Sequence, residues 1–295
     1  MKPSPIIDLL WLPVNALQLL ATWLWSAFWI SVALIVASVG RRRGPALWLA
    51  RHVWAPGMVA IGLSRLRIVG RGRLDLRRPC FFVANHQSWL DIPVLFAAVP
   101  APLHFIAKQE LARVPFLGWY ISAMGMVFVD RSARRKALSS VSAAGELLAA
   151  GGSLVSFPEG TRSAPGELGR FKTGGFAAVL DSPARAVDVV PVGIVGAGRI
   201  LPRGGFKVRP GRVEVRFGEP IPVAGLERED RGALARRAEA AVAALLGLPA
   251  RAAGANAADP PDTVTPAAPR EAPEESARAS RNSTDGAVGL RSGAQ

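Results

Sequence analysis

A single cysteine, Cys80, stands among the 295 residues, so no internal disulfide can form and a secreted fold built on disulfides is excluded. A zinc site of thiolate type is excluded with it. Lysine is nearly as scarce: five of the 36 basic side chains are Lys and the other 31 are Arg. Acidic residues number 22, which leaves a formal net charge of +14. A surplus of that size favours anionic partners: phospholipid surfaces, phosphorylated substrates or nucleic acid. Charge itself is missing between Leu9 and Gly40. The last stretch, Arg251 to Gln295, has no aromatic residue and only Val264, Val288 and Leu290 as large aliphatics. It cannot bury enough apolar surface to offset chain entropy, and residues 251–295 are expected to form a disordered Ala/Pro-rich tail.

The uncharged run ends sharply at Arg41, Arg42 and Arg43. Pro13 is expected to interrupt a helix near its start, leaving Ala16 to Val39 as the clean segment. At 1.5 Å per residue that is about 36 Å, slightly more than the roughly 30 Å of a bilayer's hydrocarbon core. Six of the eight tryptophans lie in or just after this region. Indoles favour the membrane interface, and several here lie too deep for an ordinary belt, which points to tilt or shallow insertion. One spanning helix, a two-helix hairpin dipping into one leaflet and a cleaved signal peptide all fit. The last fits least, because the run exceeds the usual length and only Lys2 supplies a basic start. The arginines that follow place the rest of the chain on the cytoplasmic side, in bacteria that of the inner membrane. Ala46 to Leu63, apolar but broken by Arg51, His52, Pro56 and Gly57, reads as an interfacial helix. Residues 1–64 are thus expected to be a membrane anchor.

From Arg65 the pattern becomes short β-rich runs bounded by Gly and Pro. Strands are expected at Leu66–Val69, Cys80–Ala84, His104–Ala107, Met126–Val129, Leu154–Phe157, Val187–Val195 and Arg212–Phe217. Helix-period segments lie near Trp89–Ala98, Ala133–Ala150, Gly174–Leu180 and Arg228–Leu246. Alternation of this kind implies an α/β domain over residues 65–250, with a mixed, mostly parallel sheet flanked by helices. Pro191, inside Val190-Pro191-Val192, suggests that its strand lies at an edge.

The strongest local signal is Asn85-His86-Gln87-Ser88-Trp89-Leu90-Asp91, between an apolar strand and a helix. On a regular helix His86 and Asp91 would diverge by about 140°. They meet only if the chain turns between them, with Ser88 capping the helix and Asp91 in its first turn. The carboxylate would then accept one imidazole N–H and leave the other nitrogen free as a general base. A solvated loop histidine beside a helix-capping acid gives the same spacing. A second signal is Phe157-Pro158-Glu159-Gly160-Thr161-Arg162-Ser163 at a strand end. There Arg162 offers a planar fork for phosphate, and Gly160 lets backbone amides approach an anion. Glu159 is suited to accept from a substrate hydroxyl or to hold Arg162. Arg131, after the strand Met126–Val129, is a further candidate for phosphate, and Lys172 could join the same anion site.

In these motifs the chain resembles the glycerolipid acyltransferases, especially the 1-acylglycerol-3-phosphate acyltransferases. Asn85, His86 and Asp91 match the first family motif; Gly125, Phe128 and Arg131 the second; Phe157 to Ser163 the third; and Val190 to Val192 the fourth. The resemblance implies transfer of an acyl group from acyl-CoA or acyl carrier protein to the sn-2 hydroxyl of lysophosphatidate at a phospholipid membrane. It implies His86 as general base, Asp91 as its orienting partner, and Glu159, Gly160, Thr161 and Arg162, with Arg131, around the acceptor's phosphate. No metal or organic cofactor is implied. Acylation of another lysolipid, such as a lyso-ornithine lipid, fits the same motifs. A nucleic-acid role would leave the apolar run unexplained, and no binding motif for it occurs.

Overall fold

The computed structural model describes residues 5–40, 42–129, 134–183 and 187–249. Helix α1 covers Pro5–Gly40. Helix α2 (Gly44–Leu49), a π-helical turn at Ala50–Trp54 and helix α3 (Ala55–Ile61) fold back against it. The sheet then begins with β1 (Ser64–Val69) and β2 (Cys80–Ala84), followed by α4 (Asp91–Ala98) and β3 (Leu103–Lys108). Next come α5 (Leu117–Ala123), β4 (Val127–Val129), α6 (Arg134–Ala149) and β5 (Ser153–Ser156). The chain continues through α7 (Gly174–Leu180), β6 (Asp188–Val195), α8 (Ala197–Ile200), β7 (Gly211–Phe217), β8 (Ile221–Pro222) and α9 (Arg231–Leu246).

The strands form one sheet in the order β1-β7-β6-β2-β5-β3-β4, with β8 paired to β6. All pairings are parallel except β6 with β7 and β6 with β8. A parallel strand covered on both faces reads as an unbroken apolar run, and β2 (Cys-Phe-Phe-Val-Ala) is buried at every residue. Its side chains divide by the period of two: Phe82 and Ala84 join α1 to α5 on one face, while Phe81 and Val83 join α6, α7 and α9 on the other. The mixed, mostly parallel α/β architecture is the one expected. All seven expected strands are present with ends within about two residues, whereas β8, α5 and α8 were not foreseen.

Two local expectations are corrected. Helix α1 runs through Pro13, which a helix permits at the loss of one backbone bond where packing holds the flanking turns. The indoles of Trp25 and Trp54 join α1 to the helices behind it: Trp25 Nε1 donates to the Trp54 carbonyl at 3.0 Å, and Trp54 Nε1 to Ser26 Oγ at 3.2 Å. Pro191 lies in a central strand, not an edge, opposite Val83 of β2. It is tolerated because it falls between the end of the β8 ladder at Val189 and the start of the β7 ladder at Val192, where that side asks for no N–H.

Further ties run the length of α1. Asn15 Nδ2 donates to the Val208 carbonyl at 2.9 Å, Gln18 Nε2 to that of Ile61 at 2.9 Å, and Ala33 is buried in the core shared with the sheet. Beyond its end, Arg43 Nε donates to the Ala123 carbonyl at 3.1 Å. The opposite side of α1 exposes Leu9, Leu17, Leu24, Phe28, Ile35 and Val39. By length and composition this helix could cross a membrane. Gly57 permits the close contact with α3, since a Cβ there would lie 2.3 Å from the Trp25 ring. Gly57→Ala should therefore force the indole aside and cost about 1–3 kcal/mol, read as a lower Tm in detergent. An unchanged Tm would show that α1 is not held this tightly.

Candidate active site

Parallel neighbours end side by side, and this is what assembles the site. In the β2–β5 pair Val83 lies opposite Ser156, so the chain leaves both strands at the same level of the sheet. The Asn85–Leu90 loop and the Phe157–Ser163 loop thus emerge together at the carboxyl ends of the strands, where α/β sheets gather their sites. On the other side of β2, Asn85 extends the ladder by its side chain. Its Nδ2 donates to the Ile194 carbonyl at 2.9 Å and its Oδ1 accepts the Ile194 N–H at 2.7 Å.

The loop then turns around one carboxylate. Asp91 is the first residue of α4 and is wholly buried. Its Oδ2 accepts from the backbone N–H groups of Gln87 and Ser88, each at 2.8 Å, and lies 2.8 Å from His86 Nδ1. Its Oδ1 is buried without a hydrogen-bond partner among the described residues. Because Oδ2 already accepts from two amides, the third contact is assigned as Nδ1–H donating, which leaves the lone pair on Nε2. Ser88 does not cap α4 as expected. Its Oγ accepts the N–H of Leu90 before the helix begins and donates to the Leu201 carbonyl at 2.8 Å, tying the loop to the end of α8.

The second loop grips the first. Glu159 is 5% exposed, and its Oε1 accepts the His86 N–H at 2.7 Å. Its Oε2 accepts from Ser163 Oγ and from the Gly169 N–H. Ser163 N–H in turn donates to the His86 carbonyl at 2.8 Å. Burial pushes the Glu159 carboxyl up from its ordinary value, an effect partly offset by these three donors. Phe157 stacks on the His86 ring, centroids 4.1 Å apart and planes at 18°. His86 is thereby held at its backbone, on its ring face and at one ring nitrogen.

His86 lines a cavity of about 760 Å³ that reaches from the two loops to α1. Gly160, Thr161 and Arg162 line it beside His86; Trp54, Phe96, Phe105, Ile121 and Met126 make other parts of the wall apolar. The Arg162 guanidinium lies over the Trp89 ring, 4.7 Å from its centroid, and its backbone carbonyl accepts from Arg203 Nη1 at 2.7 Å. No ion pair engages this guanidinium among the described residues.

A family model described as Acyltransferase matches residues 65–195. A 1-acyl-sn-glycerol-3-phosphate acyltransferase of Chlamydomonas reinhardtii is 33% identical over 193 residues, 65% of this chain and 57% of that protein. A lyso-ornithine lipid O-acyltransferase of Brucella abortus is 36% identical over 208 residues, 62% of this chain and 76% of that protein. The crystal structure of the 1-acyl-sn-glycerophosphate (LPA) acyltransferase PlsC from Thermotoga maritima superposes with a TM-score of 0.69 at 28% identity, covering 82% of this chain and 95% of that one. The chain belongs to the glycerolipid acyltransferase family. It spans about half the length of the algal and plant relatives it matches.

Of the residues the sequence singled out in this family member, the structure brings His86, Asp91, Glu159, Gly160, Thr161 and Arg162 together. Glu159 meets the backbone of His86 rather than Arg162, and both its oxygens are engaged by protein donors, so its place in the geometry is to hold the two loops in register. Lys172 is exposed and does not line the cavity. Arg131 and the tail lie outside the described residues. Sequence reasoning missed the ring stacking of Phe157, the platform under Arg162 and the ladder-extending part of Asn85. The last had a signal, since an amide side chain directly after a buried strand can continue its pairing. Because burial raises the Glu159 carboxyl, stability should fall as pH climbs from the ordinary glutamate range through the raised value, where the folded state gives up its proton last. The Tm advantage of wild type over Glu159→Gln should shrink across that window. An advantage that grows with pH would mean that the three donors outweigh burial.

Proposed function

We propose that this chain transfers a fatty acyl group from an acyl thioester, acyl-CoA or acyl carrier protein, to the sn-2 hydroxyl of 1-acylglycerol-3-phosphate, giving phosphatidic acid. The observation that carries the reading is a histidine fixed by a buried carboxylate at the wall of a largely apolar cavity, beside a guanidinium that lies over Trp89 and that no ion pair engages among the described residues. Nε2 of His86 takes the proton of the acceptor hydroxyl as that oxygen attacks the thioester carbonyl. Asp91 keeps the imidazole in the right tautomer and stabilises the imidazolium. When the tetrahedral intermediate collapses, the thiolate leaves and recovers the proton from His86. Gly160, Thr161 and Arg162, with Arg131, hold the acceptor's phosphate, and the apolar wall takes up acyl chain. The reaction so written uses no metal or organic cofactor.

Both substrates are amphiphiles, which suits an enzyme seated in a membrane surface. The ties of α1 from Asn15 to Arg43 support a placement in one leaflet, with the exposed apolar side toward lipid, over a bilayer crossing. From Asn15 to the end of α1 at Gly40 there are 26 residues, about 39 Å of helix, so a crossing would carry the catalytic body into the hydrocarbon. The basic surface and the arginines after α1 assign that leaflet to the cytoplasmic face, in a bacterium that of the inner membrane. The Brucella relative supports a second reading, O-acylation of a lyso-ornithine lipid.

One assay separates these readings. Purified protein in detergent–phospholipid micelles receives labelled acyl-CoA with lysophosphatidate or lyso-ornithine lipid. His86→Ala should lose transfer by about 10³-fold or more while keeping the wild-type Tm; near-normal turnover would refute the base. Arg162→Ala should raise KM for lysophosphatidate and leave kcat nearly unchanged. A KM unmoved by this substitution would remove the phosphate from Arg162, and product only from the lyso-ornithine acceptor would favour the second reading.

A further inference from the structure

Between β3 and α5 the chain makes a turn whose construction the site does not require. Phe116 has φ of +60° and ψ of −55°, and the N–H of Leu117 donates to the carbonyl of Pro115 at 2.7 Å. That is a γ-turn with positive φ at its centre, a strained conformation for a residue with a Cβ. The turn is nevertheless firmly built. Val114 N–H donates to Leu111, Gly118 N–H to Val114 and Tyr120 N–H to Phe116. Gly118 is obligatory here, since a Cβ would lie 2.3 Å from the Ala112 carbonyl oxygen.

The two sides of this segment differ. Leu111, Leu117, Tyr120 and Ile121 line the large cavity. Val114, Phe116 and Trp119 point outward, with 39%, 37% and 56% of their surfaces exposed, and the rings of Phe116 and Trp119 lie 5.3 Å apart. Arg113, also exposed, directly precedes them. Helix α5 packs on α1, and Arg43 binds the carbonyl of its last residue, so this aromatic pair belongs to the same body as the exposed apolar side of α1.

We propose that the Val114–Trp119 turn is a second contact with an anionic phospholipid surface, separate from α1. This rests on the membrane placement of α1 given above. Exposed Phe and Trp side chains suit the headgroup–acyl boundary, and Arg113 and Arg43 supply charge complementary to anionic lipid. The strained γ-turn presents Phe116 outward on a rigid base. With its inner side in the cavity wall, the same turn sets that wall against the bilayer, where amphiphilic substrates reside.

The test uses the full chain in vesicles of phosphatidylcholine and phosphatidylglycerol. Cys80 is 1% exposed and burial pushes its thiol up to about 11, so a cysteine introduced elsewhere can be labelled selectively. Nitroxides are placed at Phe116→Cys, at Leu17→Cys on the exposed side of α1, and at Ser142→Cys on α6. Collisions with oxygen should exceed those with a water-soluble nickel chelate at positions 116 and 17, and the order should reverse at 142. Position 17 in lipid with 116 in water overturns the second contact alone. All three in water overturns both it and the placement of α1. Protection at 116 that appears only as the chain dimerises assigns the turn to a second copy instead and also overturns the proposal. Phe116→Gly keeps the test independent of folding. It relieves the positive φ, so Tm should be no lower than wild type, while vesicle affinity falls about tenfold. A clear drop in Tm with unchanged affinity would make Phe116 a structural residue.

Discussion

One carboxylate oxygen organises the loop that carries His86. Asp91 Oδ2 collects the amides of Gln87 and Ser88 and the ring N–H of His86, and each contact depends on the other two. The amides curl the chain so that residues five apart in sequence can meet, and the curl brings the imidazole edge to the oxygen. Full burial of Asp91 removes competing water, which makes these bonds stronger and their loss costlier than at a surface. Without this centre, a histidine after a β-strand is only an exposed loop side chain.

The sheet supplies the remaining constraints. Because β5 lies between β2 and β3, the loop after β5 closes on the loop after β2, and Glu159 clasps the backbone of His86 from across that boundary. From β6, Ile194 locks Asn85 on the opposite side. Three strands distant in sequence thus fix one imidazole, while α1 and the helices behind it add apolar wall to the cavity on which the ring opens. Helix α1 and the candidate site are parts of one packed body, in keeping with the proposed chemistry on substrates that reside in a bilayer.

Much of this was legible in the sequence where the physics is local. Short β-rich runs bounded by Gly and Pro located the seven principal strands, and the spacing of His86 and Asp91 required a turn at a strand end if the two were to meet. What stayed hidden depends on contacts between distant segments. Strand order decides that Glu159 faces His86 and not Arg162, and no local pattern encodes that order. The depth of the α1 tryptophans pointed to tilt or shallow insertion, and their composition gave no sign that Trp25 is bonded to the Trp54 carbonyl. Pro191 suggested an edge because a lone proline does not reveal that β6 changes partners beside it. The outward γ-turn at Phe116 gave no signal, since Val-Pro-Phe-Leu-Gly reads equally well as an ordinary apolar loop.

The central claim is that Asp91 holds the His86 proton on Nδ1 and leaves Nε2 with its lone pair toward the cavity. Nitrogen-15 NMR of histidine-labelled protein in micelles reads this directly at a pH where the ring is neutral. The chain has only three histidines, so His86 is assigned by difference against His86→Gln. The account predicts a protonated Nδ1 and an unprotonated Nε2 for His86. A protonated Nε2 in the resting protein would contradict it, because the nitrogen offered to the acceptor hydroxyl would then have no lone pair with which to take the proton.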